Sequence, residues 1–278
     1  MTQTSTINDD AIEGVLTFAV DTGEKIINET MGAGAMSRRR TGVVEKKATK
    51  IRNGRSLRDT FDLETQGFEF LDHRSEMADF FDSKELKSIY YKEVEALVKQ
   101  RTGASRVHVF DHTLRSGDEA TRNTKLVREP VARVHNDYTD WSGPNRVRDL
   151  LPEESDDLLS RRFAIVQVWR AIRNPIESDP LAICDARTIA AKDLLVSERR
   201  YPNRIGQTYQ VAHNPGQDWY YFPKMTRDEA LVFKVFDSAT DGRARFTAHS
   251  AFSDPASSEN AFPRESIEMR TFAFFCLE

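Results

Sequence analysis

The chain has 278 residues, 39% of them hydrophobic and 30% charged, with a net charge of −4 and a mean hydropathy of −0.58. This is the composition of a soluble globular protein: it holds no apolar run near the roughly 18 residues of a membrane span, and no basic excess of the kind that binds nucleic acid. Cys184 and Cys276 are the only cysteines and form no C-x-x-C pair, which excludes a disulfide scaffold or a cysteine zinc site and fits a reducing cytoplasm.

The first residues, MTQTSTINDDAIEG, carry neither the positive nor the apolar region of a secretory leader. Residues 1–60, with a basic tract from Arg38 through Lys46 and Lys47 to Arg55, read as a solvated N-terminal arm, and residues 61–130 as helical and strand elements packed on a core formed by 131–278. All belong to one domain. A helix is expected over residues 82–101, because Leu86, Ile89, Tyr90, Val94, Leu97 and Val98 recur at three- and four-residue intervals; Asp82 can cap it and Gly103 can end it. Strands are expected over residues 106–110, 132–137, 163–169, 181–184, 208–213, 219–222, 231–236, 245–252 and 266–275, with a short helix near 152–159. Short strands rich in Val, Phe, Tyr and Ile, parted by turn residues, predict a mainly β sandwich or barrel with flanking helices.

The chemistry concentrates in Arg133-Val134-His135-Asn136-Asp137 and in the later His249. Alternation along a strand sends His135 and Asp137 to one side, and a third ligand from a distant strand completes two imidazoles and a carboxylate, the facial set that holds ferrous ion and leaves positions open. An H-x-D step alone is weak evidence. Its position at a strand end, before the turn-like stretch from Thr139 to Pro144, strengthens it, and Asp137 on an apolar-flanked strand would be costly to bury without a cation. His108 and His112 lie on or near the expected strand 106–110 and compete as ligands. His213 reads as a strand-end or pocket residue, and His73 as solvated.

After His249, period two puts Arg264, Ser266, Glu268 and Arg270 on one strand face. Arg264 and Ser266 offer a guanidinium and a hydroxyl to a carboxylate, with Arg270 as an alternative. Tyr138, Trp141, Trp219, Tyr220 and Tyr221 suggest an aromatic-lined cavity for a mostly apolar small molecule, although aromatic residues at such spacings are more often core.

These blocks, with Val168-Trp169-Arg170 before Pro175, Pro180 to Arg187 and Phe236-Asp237-Ser238, resemble the non-haem iron, 2-oxoglutarate-dependent oxygenase-like family that includes the fungal gibberellin desaturase, the aspergillic acid hydroxylase and a component of the cephamycin C-7 methoxylation system. The resemblance covers the chain from about residue 60 onward. It implies a double-stranded β-helix of the jelly-roll, cupin-like kind, iron on His135, Asp137 and His249, and 2-oxoglutarate and dioxygen as co-substrates. It implies hydroxylation, desaturation or oxidative rearrangement at an unactivated C–H bond of a small natural product. The carboxylate at Asp137 speaks against halogenation, which would need a small residue there. Two other readings stay open: a non-catalytic barrel that binds a small molecule or partners an enzyme, and a metal-dependent hydrolase. A homodimer, or a heterodimer with a pathway protein, is the assembly expected beside the small-molecule substrate. The blocks Trp169-Arg170 and Asp185-x-Arg187 carry no catalytic role that the residues imply, and Arg170 can form an internal salt bridge to Asp185.

Overall fold

The computed structural model describes residues 11–31, 37–173, 175–202 and 204–276; the first ten residues of the expected arm, and with them most of the stretch read for a leader, lie outside these. The described strands are β1 (Ala11–Ala19), β2 (Ile26–Met31), β3 (Ser37–Arg40), β4 (Val44–Asn53), β5 (Phe68–Asp72), β6 (Arg106–Ser116), β7 (His135–Asn136), β8 (Phe163–Ala171), β9 (Leu181–Cys184), β10 (Leu194–Tyr201), β11 (Arg204–Val211), β12 (Trp219–Tyr221), β13 (Glu229–Asp237), β14 (His249–Ala251) and β15 (Glu265–Phe274). They form two sheets. The larger runs β1-β4-β12-β9-β14-β7-β11-β10-β2-β3, and the smaller β5-β13-β8-β15-β6. Within them, β7, β14, β9 and β12 face β13, β8, β15 and β6, each set antiparallel, which is the double-stranded β-helix.

Three apolar layers hold the sheets. Between them lie Ile165, Trp169, Ile183, Leu231, Phe233 and Phe272. Behind the smaller sheet, Val166, Val168, Val232, Ile267 and Met269 meet a long helix. That helix starts as α1 (Ser83–Glu85), passes through a π-helical stretch at Leu86–Tyr90 and continues as α2 (Tyr91–Thr102). Asp82 accepts from the backbone N–H groups of Lys84 and Glu85, and Gly103 ends the helix in the left-handed region at φ 70°, a conformation that glycine adopts without steric penalty. The remaining helices are α3 (Glu119–Lys125), α4 (Ser142–Leu150) and α5 (Ser155–Leu159). No helix among the described residues is long and apolar enough to cross a membrane.

The N-terminal segment departs from the solvated arm expected for it. β1 pairs with β4 over nine residues, β4 pairs with β12, and Leu16, Phe18 and Ile51 are fully buried against Trp219 and Cys184 on the outer face of the larger sheet. The division at residue 131 also moves, because β6 is an edge of the smaller sheet. The turn expected from Thr139 to Pro144 instead opens α4: Pro144 stands in its first turn, where the missing N–H has no intrahelical acceptor to lose.

Candidate active site

β7 and β14 are neighbours, and His249 pairs directly with His135. Opposed residues of an antiparallel pair share a face, so both imidazoles enter the space between the sheets, with ring centroids 4.4 Å apart. Asp137 follows at the end of β7, its Oδ1 3.5 Å from His135 Nε2. One ligand atom from each of His135, Asp137 and His249 lies within 4.8 Å of the other two.

The tautomers follow from the backbone. His135 Nδ1 lies 2.8 Å from the Arg133 carbonyl and His249 Nδ1 3.1 Å from that of Thr247. A carbonyl only accepts, so each Nδ1 donates its proton and each Nε2 turns a lone pair inward. His249 Nε2 is buried without any partner. Burial, and then the neighbouring His249, push the His135 imidazole down to about 3, which keeps it neutral and able to ligate. Burial opposes ionisation of Asp137, but the neighbouring charges, Arg270 first, outweigh it and hold the carboxyl well below its usual range.

Arg270 donates through Nε to Asp137 Oδ2 at 3.1 Å, and also meets Asp111, Thr113 and Glu268. Gln167 Nε2 donates to the same Asp137 oxygen at 2.6 Å. Immediately before β15, Arg264 is 2% exposed. Its Nη1 donates to the Asp179 carbonyl at 2.7 Å and its guanidinium lies 5.4 Å from the Trp169 ring centroid, while its Nε and the Ser266 hydroxyl are buried with no partner. Burial first, then the charge of Arg115, pushes Arg264 down to about 9. A buried guanidinium nitrogen and a nearby buried hydroxyl without partners leave hydrogen-bonding capacity unused at this end of the barrel.

A cavity of about 410 Å³ opens beside Asp137 and Arg270 and is lined by Tyr138 and Trp141. Trp219 and Tyr221, expected on such a wall, belong instead to the core on the outer face of the larger sheet, and Tyr220 packs edge-on to Phe61. Which face of β12 turns inward depends on the layer it joins, so aromatic content alone misassigned them. Neither His108 nor His112 joins the metal-binding group; His112 Nδ1 is 2.8 Å from the Tyr91 hydroxyl. His213 stacks edge-on to Phe18. His73 is partly buried against Arg170 rather than solvated. Arg170, fully buried, binds the carbonyls of His73 and Arg227, and Asp185 pairs with Arg187, so the expected Arg170–Asp185 bridge does not form. Sequence reasoning missed Gln167, though a lone glutamine within Phe163–Ala171, a strand buried at every position, was a usable signal.

A buried His-Asp-His group inside a double-stranded β-helix is the arrangement of a non-haem iron oxygenase. The family described as oxidoreductase/YMDC permease-like domain matches residues 16–274. The chain is 34% identical to the hydroxylase/desaturase CTB9 of Cercospora beticola over 83% of its own length and 77% of that protein's, and 33% identical to the Fe(II)/2-oxoglutarate-dependent dioxygenase nvfI of Aspergillus novofumigatus over 81% and 82%. The solved structure of the iron and alpha-ketoglutarate-dependent endoperoxidase NvfI superposes with a TM-score of 0.84 at 29% identity, covering 96% of this chain and 99% of that one. The chain belongs to this family of Fe(II)/2-oxoglutarate-dependent dioxygenases, enzymes that work on small molecules with Fe(II), 2-oxoglutarate and dioxygen.

Proposed function

We propose that His135, Asp137 and His249 are the iron ligands, that Arg264 and Ser266 hold the distal carboxylate of 2-oxoglutarate, and that the enzyme oxidises a C–H bond of a small natural product by hydroxylation, desaturation or oxidative rearrangement. The observation that carries the reading is the pairing of two sets of unpartnered buried atoms, His249 Nε2 at one end and Arg264 Nε with Ser266 Oγ at the other. Buried polar atoms are rarely left unpartnered, so a metal and an anion account for both. The bound iron supplies dioxygen activation coupled to oxidative decarboxylation of 2-oxoglutarate to succinate and carbon dioxide.

The chain's own residues set the geometry. The Arg133 and Thr247 carbonyls fix the two imidazoles. Arg270 and Gln167 hold Asp137 Oδ2 and leave Oδ1 as the uncommitted oxygen. Arg270 is already engaged by three carboxylates, which favours Arg264 as the carboxylate clamp. Both cysteines are free, in keeping with a cytoplasmic enzyme.

The test is anaerobic addition of 2-oxoglutarate to the ferrous protein, read by the weak visible charge-transfer band of keto acid chelation. Arg264→Ala should raise the concentration needed by more than about tenfold, since removing one partner of a buried charged pair costs on the order of 2–5 kcal/mol. A band that never forms rejects the function. The same loss with Arg270→Ala, and none with Arg264→Ala, moves the clamp to Arg270.

A further inference from the structure

The wall of the cavity beside Asp137 is strongly cationic. Lys125, Arg128, Arg146, Arg199, Arg204 and Arg270 line it, against Asp111, Asp137 and Asp149, and two of those three aspartates are already bound by Arg270. Several of the cations rest on aromatic faces instead of carboxylates: Lys125 on Phe81, Arg146 on Phe110 and Arg204 on Tyr201.

Arg199 stands apart from these. It lies on β10 directly opposite Gly206 of β11, in the register that pairs Ser197 with Thr208, while Gln210 of β11 pairs with His135. Gly206, Thr208 and Gln210 alternate along one face of β11, so Arg199 is on the same sheet face as the metal ligand His135. Opposite it Gly206 has no side chain, and the nearest atom to a Cβ built there is Arg199 Cβ itself at 3.9 Å, so no side chain from β11 covers Arg199 at its paired position, and Arg199 lines the cavity. Arg199 Nε is buried without a hydrogen-bond partner, and no ion pair holds the residue among the described residues. Arg199 and Asp137 line the same cavity.

A guanidinium with a dry, unmatched N–H is a standing cost until an acceptor arrives. Arg264 and Ser266 already provide for the 2-oxoglutarate carboxylate, so the second receptor is left for the other reactant. We propose that the substrate is a small amphiphilic carboxylic acid whose carboxylate docks on Arg199 and whose apolar body lies against Tyr138 and Trp141. This deepens the reading of the site as an iron- and 2-oxoglutarate-dependent one: that reading assigns the chemistry, and Arg199 selects what enters. It also replaces the mostly apolar ligand expected from aromatic content.

The probes are 1-naphthaleneacetic acid and its amide, of the same shape and differing in charge. Their binding is measured by calorimetry on the anaerobic protein loaded with Fe(II) and 2-oxoglutarate. The acid should bind at least about tenfold tighter than the amide, as expected for a desolvated charged pair. In Arg199→Gln the ratio should fall to within about twofold through loss of acid binding, while the affinity for 2-oxoglutarate, read from its charge-transfer band, stays within about threefold of wild type; Arg199→Lys, which keeps the charge but not the fork, should retain part of the preference. No binding of the acid, equal affinity for acid and amide in the wild type, or a preference that survives Arg199→Gln overturns the proposal. Equal weakening of 2-oxoglutarate by Arg199→Gln also overturns it and makes Arg199 a co-substrate contact. If Arg199→Gln does not fold, Arg199→Lys carries the comparison, and an undiminished acid preference in it overturns the proposal. The acid and amide affinities can also be measured without metal, so an absent charge-transfer band defeats the iron reading and leaves this test standing.

Discussion

Arg270 reaches from β15 in the smaller sheet to Asp137 at the end of β7 in the larger one, its Nε 3.1 Å from Asp137 Oδ2. With Gln167 on the same oxygen at 2.6 Å, one half of the carboxylate is anchored to β8 and β15 while the other half faces His135. Residues that orient a metal ligand commonly tune affinity by about 10–100-fold. Arg270→Leu should therefore weaken ferrous binding by about that factor, measured by anaerobic titration, with a smaller effect on 2-oxoglutarate affinity than Arg264→Ala. Unchanged iron affinity would show that the ion pair is merely structural.

Replacing a ligand should be more severe. His135→Ala, Asp137→Ala and His249→Ala each leave two protein donors for a labile metal, and each should abolish iron retention or nearly so. Metal analysis after anaerobic desalting reads the outcome. Full occupancy in Asp137→Ala would remove the carboxylate from the ligand set.

These residues were legible because the H-x-D step is local and its partner histidine stands on a later short strand of recognisable type. The arginine and serine after His249 were legible for a similar reason: period two alone places Arg264, Ser266 and Arg270 on one face, and the ladder from β15 to β8 preserves it from Ser266 through Arg270. What stayed hidden was set by partners. β4, Val-Glu-Lys-Lys-Ala-Thr-Lys-Ile-Arg-Asn, has one fully buried side chain, Ile51, and charged residues on both faces, so no apolar alternation announces it; its pairing with β1 and β12 makes it a strand. β10, Leu-Leu-Val-Ser-Glu-Arg-Arg-Tyr, is hidden in the same way. Arg199 therefore gave no sign until the ladder placed it opposite Gly206.

Asn136, between the two ligands of the H-x-D step, is fully buried. Its Nδ2 donates to the Tyr138 and Val235 carbonyls at 2.7 and 2.9 Å, and its Oδ1 accepts from Thr247 N–H at 3.1 Å. Thr247 in turn orients His249, so one side chain ties both ligand-bearing segments together. Asn136→Ala strips partners from three buried backbone groups, each worth about 1–3 kcal/mol when left unsatisfied. A loss of about 3–5 kcal/mol in denaturant unfolding is expected, together with weaker iron binding. A loss below about 1 kcal/mol would mean that water or a shifted backbone replaces the side chain.

The last prediction concerns the closed end of the charge network between Glu64, Arg162, Lys234, Asp237 and Arg243. Asp237 is fully buried and accepts from Arg162 at 2.7 Å and from Lys234 at 2.9 Å, and Lys234 is itself only 1% exposed. Burial alone would raise the Asp237 carboxyl, but the Arg162 and Lys234 partners outweigh it and hold it below its ordinary value. A carboxyl depressed in the folded state contributes stability that is complete above its unfolded value, about 4, and is lost as pH falls through the folded one. Asp237→Asn removes the charge and leaves Lys234 with Glu64 as its remaining carboxylate, so it should destabilise the protein by about 3–5 kcal/mol at pH 7. The gap between wild type and variant should then narrow as pH falls below about 4, because the wild type approaches the neutral state that the variant already has. Denaturant midpoints measured from pH 7 downward in the metal-free protein test both parts, and a gap that stays constant to the acid limit would show that Asp237 acts through packing and hydrogen bonds rather than through its charge.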